Sequence, residues 1–138
     1  MKPLPVGDNH PIWPVLVALA LSFFVCQPAH ALEGKASWYS FESCRAEGTS
    51  GYYTASQEPF IETAMTCALP HKNFDGLYKV TNLENGKSVV VRHNDKGPGK
   101  KPRSRGVVID LSRGAFEKIA PLSKGIVNVR VEAVGRSA

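Results

Sequence analysis

Metal-binding and nucleophilic residue types are scarce in this chain. It has three cysteines and four histidines in 138 residues, only His71 and His93 lie beyond residue 31, and no Cys/His pair has the spacing of a zinc site. Neither a metal nor a cofactor is therefore expected. No Gly-x-Ser-x-Gly elbow occurs, which removes the commonest signature of serine hydrolysis. The longest apolar stretch, Ile12 to Val25, is interrupted by Pro14 and falls short of the ~20 residues a spanning helix needs. The basic stretch 96–105 carries Lys96, Lys100, Lys101, Arg103 and Arg105 but no aromatic side chain on which a base would stack, so no nucleic-acid partner is expected. No internal repeat and no second domain is visible.

What is present points to export. Lys2, the apolar stretch and Ala29-His30-Ala31 have the pattern of a cleaved leader, with cleavage after Ala31 and Leu32 as the mature start. A lipid-modified Cys26 at the end of the apolar region is the alternative, and it lacks the small residue expected just upstream. Residues 32–138 then form one small domain in the periplasm or cell envelope. In an oxidising compartment Cys44 and Cys67 are expected to pair, closing a loop worth about 3 kcal/mol in the chain-entropy model. The formal net charge of +5 suits peripheral association with an anionic envelope polymer.

Strand signals dominate the mature chain. Residues 35–40 are short and aromatic, and 77–82 alternate. Asn85-Gly86 separates them from 88–93, which predicts an antiparallel hairpin. The β-branched run 107–111 predicts a buried strand, and Ser112 a cap for a short helix ending before Pro121. Val127, Val129, Val131 and Ala133 alternate with polar residues, as in a half-buried strand. Residues 42–73 read as a long loop with one strand and one helical turn. Short strands with little helix suggest a mainly β protein, a small closed barrel that leaves no exposed sheet edge.

Chemistry then falls to carboxylates. Glu58, Glu62, Asp95 and Asp110 lie in or beside loops rich in Gly, Pro and Thr. Acid catalysis on a glycosidic bond needs a carboxyl that first holds and later accepts a proton. The five cations after Asp95 would favour its ionised form, so burial or a neighbouring carboxylate, Asp110 or Glu58, has to outweigh them.

From Gly34 to about Val134 the chain resembles the rare lipoprotein A family, the double-psi β-barrel lytic transglycosylases of the bacterial envelope. The resemblance rests on an ordered set of motifs. Gly34-Lys35-Ala36-Ser37-Trp38-Tyr39 looks like the family's first strand. Thr54-Ala55-Ser56-Gln57-Glu58-Pro59-Phe60 resembles its Thr-Ala-Ser-Gly-Glu-x-Phe loop, with Gln57 at the glycine. The hairpin from Val80 to Arg92, Asn94-Asp95-Lys96-Gly97-Pro98 and Ile109-Asp110-Leu111-Ser112-Arg113 follow in family order. An ungapped match puts Leu69 at the family's functional histidine and Ile61 where it often has aspartate.

The resemblance implies a six-stranded double-psi β-barrel with one or two short helices. It implies a groove for peptidoglycan glycan strands and catalytic roles for Asp95, Glu58 and Asp110, with Asp95 as proton donor. Arg92, Asn94 and Arg113 would contact substrate, and Trp38 and Tyr39 would stack on sugar faces. The implied activity is endolytic lytic transglycosylation to 1,6-anhydromuramoyl ends. A non-catalytic, expansin-like wall-binding module using the same groove is the alternative.

Overall fold

The computed structural model describes residues 31–48 and 52–138; the expected leader lies outside these, apart from Ala31. Six strands close into a barrel: β1 (Ala31–Tyr39), β2 (Thr66–Leu69), β3 (Gly76–Asn82), β4 (Ser88–Lys96), β5 (Val107–Ser112) and β6 (Val127–Arg136). Their order around the barrel is β1-β5-β2-β4-β3-β6, with β1/β5 and β2/β4 parallel and the other pairs antiparallel. Closure satisfies both edges of every strand. This is the small double-psi β-barrel expected.

Local chemistry explains most of the elements. The β3–β4 hairpin turns at Gly86, whose φ of +74° is a conformation glycine adopts without steric cost, and pairs Leu77 with Arg92 through Thr81 with Ser88. Val127, Val129 and Val131 of β6 are buried and join a core with Val80, Val91, Ile109 and Leu111, but Ala133, expected on the same face, is exposed. The β3–β6 register shifts just beyond the Tyr78–Ala133 pair, between Leu77 and Tyr78, and every residue of β6 from Ala133 onward is exposed. Ser112 ends β5 and its hydroxyl accepts from the Ala115 amide, opening the short helix that follows that strand.

In chain order the helices are α1 (Phe41–Ala46), α2 (Lys100–Ser104) and α3 (Arg113–Glu117), each little more than a turn, and Ser112 caps the last. Ser40 and Ser43 cap α1 reciprocally, each side chain bonding the other's backbone amide. The sequence showed no periodicity for α2, which forms inside the basic loop and leaves its cations exposed.

The expected Cys44–Cys67 disulfide is not formed. Residues on β2 alternate: Cys67 and Leu69 belong to the barrel core, while Ala68 between them faces an external cavity. Cys44, on α1, lines that cavity. The two cysteines therefore sit on opposite faces of β2, and counting cysteines in a sequence does not reveal faces. Burial pushes the Cys67 thiol well above its ordinary range.

Candidate active site

The site is built by strand register. Ala68 of β2 pairs with Asp95 on β4 and with Asp110 on β5, and Asp110 pairs with Ser37 on β1. Ser37, Asp110, Ala68 and Asp95 thus form one row across four adjacent strands, with their side chains on the same face. Two strand spacings put the aspartate Cα atoms about 9.5 Å apart. Because Ala68 ends at Cβ, the floor between the two carboxylates stays open. All four line a cavity of about 440 Å³, together with Tyr39, Cys44, Tyr53 and the 96–102 loop.

The two carboxylates are held differently. Asp110 Oδ1 accepts from the Ser37 hydroxyl. Burial, then the charges of Glu47 and Asp95, hold its carboxyl above the usual aspartate range against that hydrogen bond. Asp95 Oδ1 accepts from two backbone amides, Ala55 N and Lys96 N, at 2.8 Å each. These contacts orient the Asp95 side chain. Gly97 lies against the row: a Cβ there would meet Asp110 Oδ2 at 3.0 Å and Ala68 Cβ at 3.4 Å.

Glu58, Arg92 and Asn94 form a separate cluster. Arg92 grips Glu58 through both terminal nitrogens, at 2.7 and 2.6 Å, and also reaches Asp75 at 3.1 Å. Asn94, buried, donates to Glu58 at 3.2 Å. The hydrogen bond from Arg92 holds the Glu58 carboxyl below its ordinary range. With Ser56 N donating to Asn94 O at 3.2 Å, this cluster docks loop 54–58 on β4 and brings the Ala55 amide to Asp95.

Arg113 lies outside the aspartate cavity, half-exposed, in a groove of about 750 Å³ with Arg45, Glu42 and Glu62. Trp38 borders both cavities, and its indole N–H donates to Leu122 O at 3.3 Å. Tyr39 stacks on Phe60 with centroids 4.8 Å apart, so that ring face is already taken by protein.

Leu69, at the histidine position of the resemblance, packs in the core on the opposite face of β2 from Ala68, and Ile61 is exposed. His93 is fully buried, with its ring nitrogens 3.1 Å from Asn73 O and 2.8 Å from Asp95 O. Among the described residues no group of three or more metal-ligating side chains occurs. Sequence reasoning missed Ser37, Ala68 and Gly97 as parts of the site. Ser37 stands within a strand motif, and its link to Asp110, 73 residues away, arises from β1/β5 pairing that no local signal announces.

Residues 31–131 match the family model described as lytic transglycolase. A probable endolytic peptidoglycan transglycosylase RlpA of Nostoc sp. is 42% identical over 106 residues, covering 77% of this chain and 26% of that protein. The chain thus spans about a quarter of that relative's length. Among solved structures, a Streptomyces papain inhibitor aligns with a TM-score of 0.58 at 23% identity, over 77% of this chain and 96% of its own. An expansin of Clavibacter michiganensis in complex with cellohexaose aligns at 0.57 and 20% identity, over 79% and 52%. At these identities the two structures speak for the fold alone.

Proposed function

The chain belongs to the lytic transglycolase family, and from that premise we propose that its barrel is an exported endolytic lytic transglycosylase domain, cutting peptidoglycan glycan strands to 1,6-anhydromuramoyl ends in the periplasm or envelope. The observation that carries this reading is the row Ser37–Asp110–Ala68–Asp95, which sets two carboxylates of different character over one open floor.

Their difference suggests a division of labour opposite to the one expected from sequence. Asp110, whose surroundings favour the protonated form, gives its proton to the glycosidic oxygen as the bond from that oxygen to C1 of the muramoyl residue breaks. Asp95, oriented by two amides, takes the proton of the muramoyl 6-hydroxyl as O6 bonds to C1. No water is consumed, and one proton passed from Asp95 to Asp110 through solvent restores the starting state. Glu58 and Arg92 position the loop that feeds the Ala55 amide to Asp95. The groove holding Arg113 and Arg45 extends the path beyond Trp38 and suits substrate carboxylates.

Incubation of the purified protein with sacculi and with denuded glycan strands, followed by mass spectrometry, should reveal anhydromuramoyl ends. Asp110→Asn should lower turnover by about 10²–10⁴ with glycan binding retained. Because Asp110 keeps its proton above the ordinary aspartate range, wild-type turnover should fall with rising pH on a limb displaced upward from that range. A wild type that binds strands but produces no anhydro ends would instead be a wall-binding module.

A further inference from the structure

Tyr39 carries a hydroxyl that the fold buries without an acceptor. The side chain has little freedom to find one, because its ring is stacked on Phe60 and Phe60 is in turn met edge-on by Phe41 at 5.0 Å. It lines the cavity of Asp95 and Asp110. In that cavity Asp110 Oδ1 takes the Ser37 hydroxyl and Asp95 Oδ1 takes two amides, and neither bonds the Tyr39 hydroxyl. Burial, and after it the charge of Asp95, keep the phenol from ionising, so it acts neither as a base nor as a nucleophile. What remains to it is donation of one hydrogen bond. A buried donor without a partner carries a desolvation penalty, and native structures keep such groups chiefly where a ligand or water completes them.

We propose that the Tyr39 hydroxyl is a third polar group of the reacting centre, donating a hydrogen bond to an oxygen of the glycan at the scissile linkage between Asp95 and Asp110. This rests on the glycan-cleaving reading, and it replaces the sugar-stacking role expected for this ring. A donor aimed where negative charge grows on oxygen acts more strongly in the transition state than on the bound substrate, so its loss appears in kcat more than in KM.

The test is Tyr39→Phe in the full chain, which keeps the ring and its stacking and removes only the hydroxyl. Thermal melting, kcat and KM on denuded strands, and strand affinity under non-turnover conditions are measured together. The expected result is a Tm equal to or above that of the wild type, with kcat lower by about 10². Wild-type kcat in the variant overturns the proposal. So does a parallel fall of Tm and kcat, which would make the hydroxyl a structural group. If the wild type proves to make no anhydro ends, the cleavage reading fails separately, and the affinity decides: weaker strand binding by Tyr39→Phe supports the hydrogen bond to glycan, and equal binding overturns it.

Discussion

Gln57 shows how a single position can carry strain that its sequence motif already hints at. The resemblance places glycine here, and the backbone adopts φ +69°, a left-handed conformation that costs a side-chain-bearing residue about 1–2 kcal/mol. Its side chain is exposed and the turn is closed by the backbone bond from Gln57 N to Thr54 O at 3.0 Å. Gln57→Gly should therefore stabilise the protein by about 1 kcal/mol, partly offset by the greater freedom of glycine in the unfolded chain. Chemical denaturation of the two proteins, compared at equal m-value, checks this; a glycine variant less stable than wild type would mean that the glutamine side chain holds the loop. Leu69 teaches the converse lesson. Its position in the motif suggests a lost catalytic group, yet its side chain faces the core, away from both aspartates.

At the scale of elements, β2 decides the site. It has four residues, all buried, and it pairs on one side with β4 and on the other with β5. Its Ala68 is the spacer between the two carboxylates, and Gly97 leaves no slack above it. Ala68→Val would push two methyl groups into this floor. Overpacking of this kind costs about 1–3 kcal/mol, and the added bulk would fill the space a sugar oxygen needs. Anhydro-end production should fall at least tenfold while the circular dichroism spectrum keeps its β signature; full activity in the variant would show that substrate does not enter between Asp95 and Asp110. β2 was legible only as one strand somewhere in a long irregular segment, because four residues buried on both faces show no alternation. The β3–β4 hairpin, announced by Asn85-Gly86, and β6, announced by alternating valines, were legible in outline because turn chemistry and one-sided burial leave periodic marks.

For the whole molecule, the distribution of charge matters more than its sum. α2 raises Lys100, Lys101 and Arg103 on the exposed side of the loop whose inner side, at Gly99 and Pro102, walls the aspartate cavity. Cations beside a substrate groove draw in an anionic polymer, and screening weakens that attraction as the Debye length falls below about 8 Å. Neutralising Lys100, Lys101, Arg103 and Arg105 lowers the formal net charge from +5 to +1. Co-sedimentation with sacculi across a salt series should then give a flatter curve than wild type; an unchanged slope would exclude the loop from the contact.

The amino-acid sequence alone determined the kind of fold and narrowed the candidates for chemistry. Scarce metal ligands and loop-borne carboxylates directed attention to acid–base work, while short alternating strands, an Asn-Gly turn and a capping serine marked a small β protein with little helix. Those features are local, written in the order of neighbouring residues. The tertiary structure decided which carboxylates meet. Asp95, Asp110 and Ser37 come from three strands, and only the pairing of β1 with β5, of β5 with β2 and of β2 with β4 sets them in one row. It also separated Glu58 from that row by giving its carboxylate to Arg92, and it placed Cys44 and Cys67 on opposite faces of one strand. The reason is that a strand's side chains alternate between faces, so what a residue touches depends on register with strands far along the chain, and register is settled only when the barrel closes.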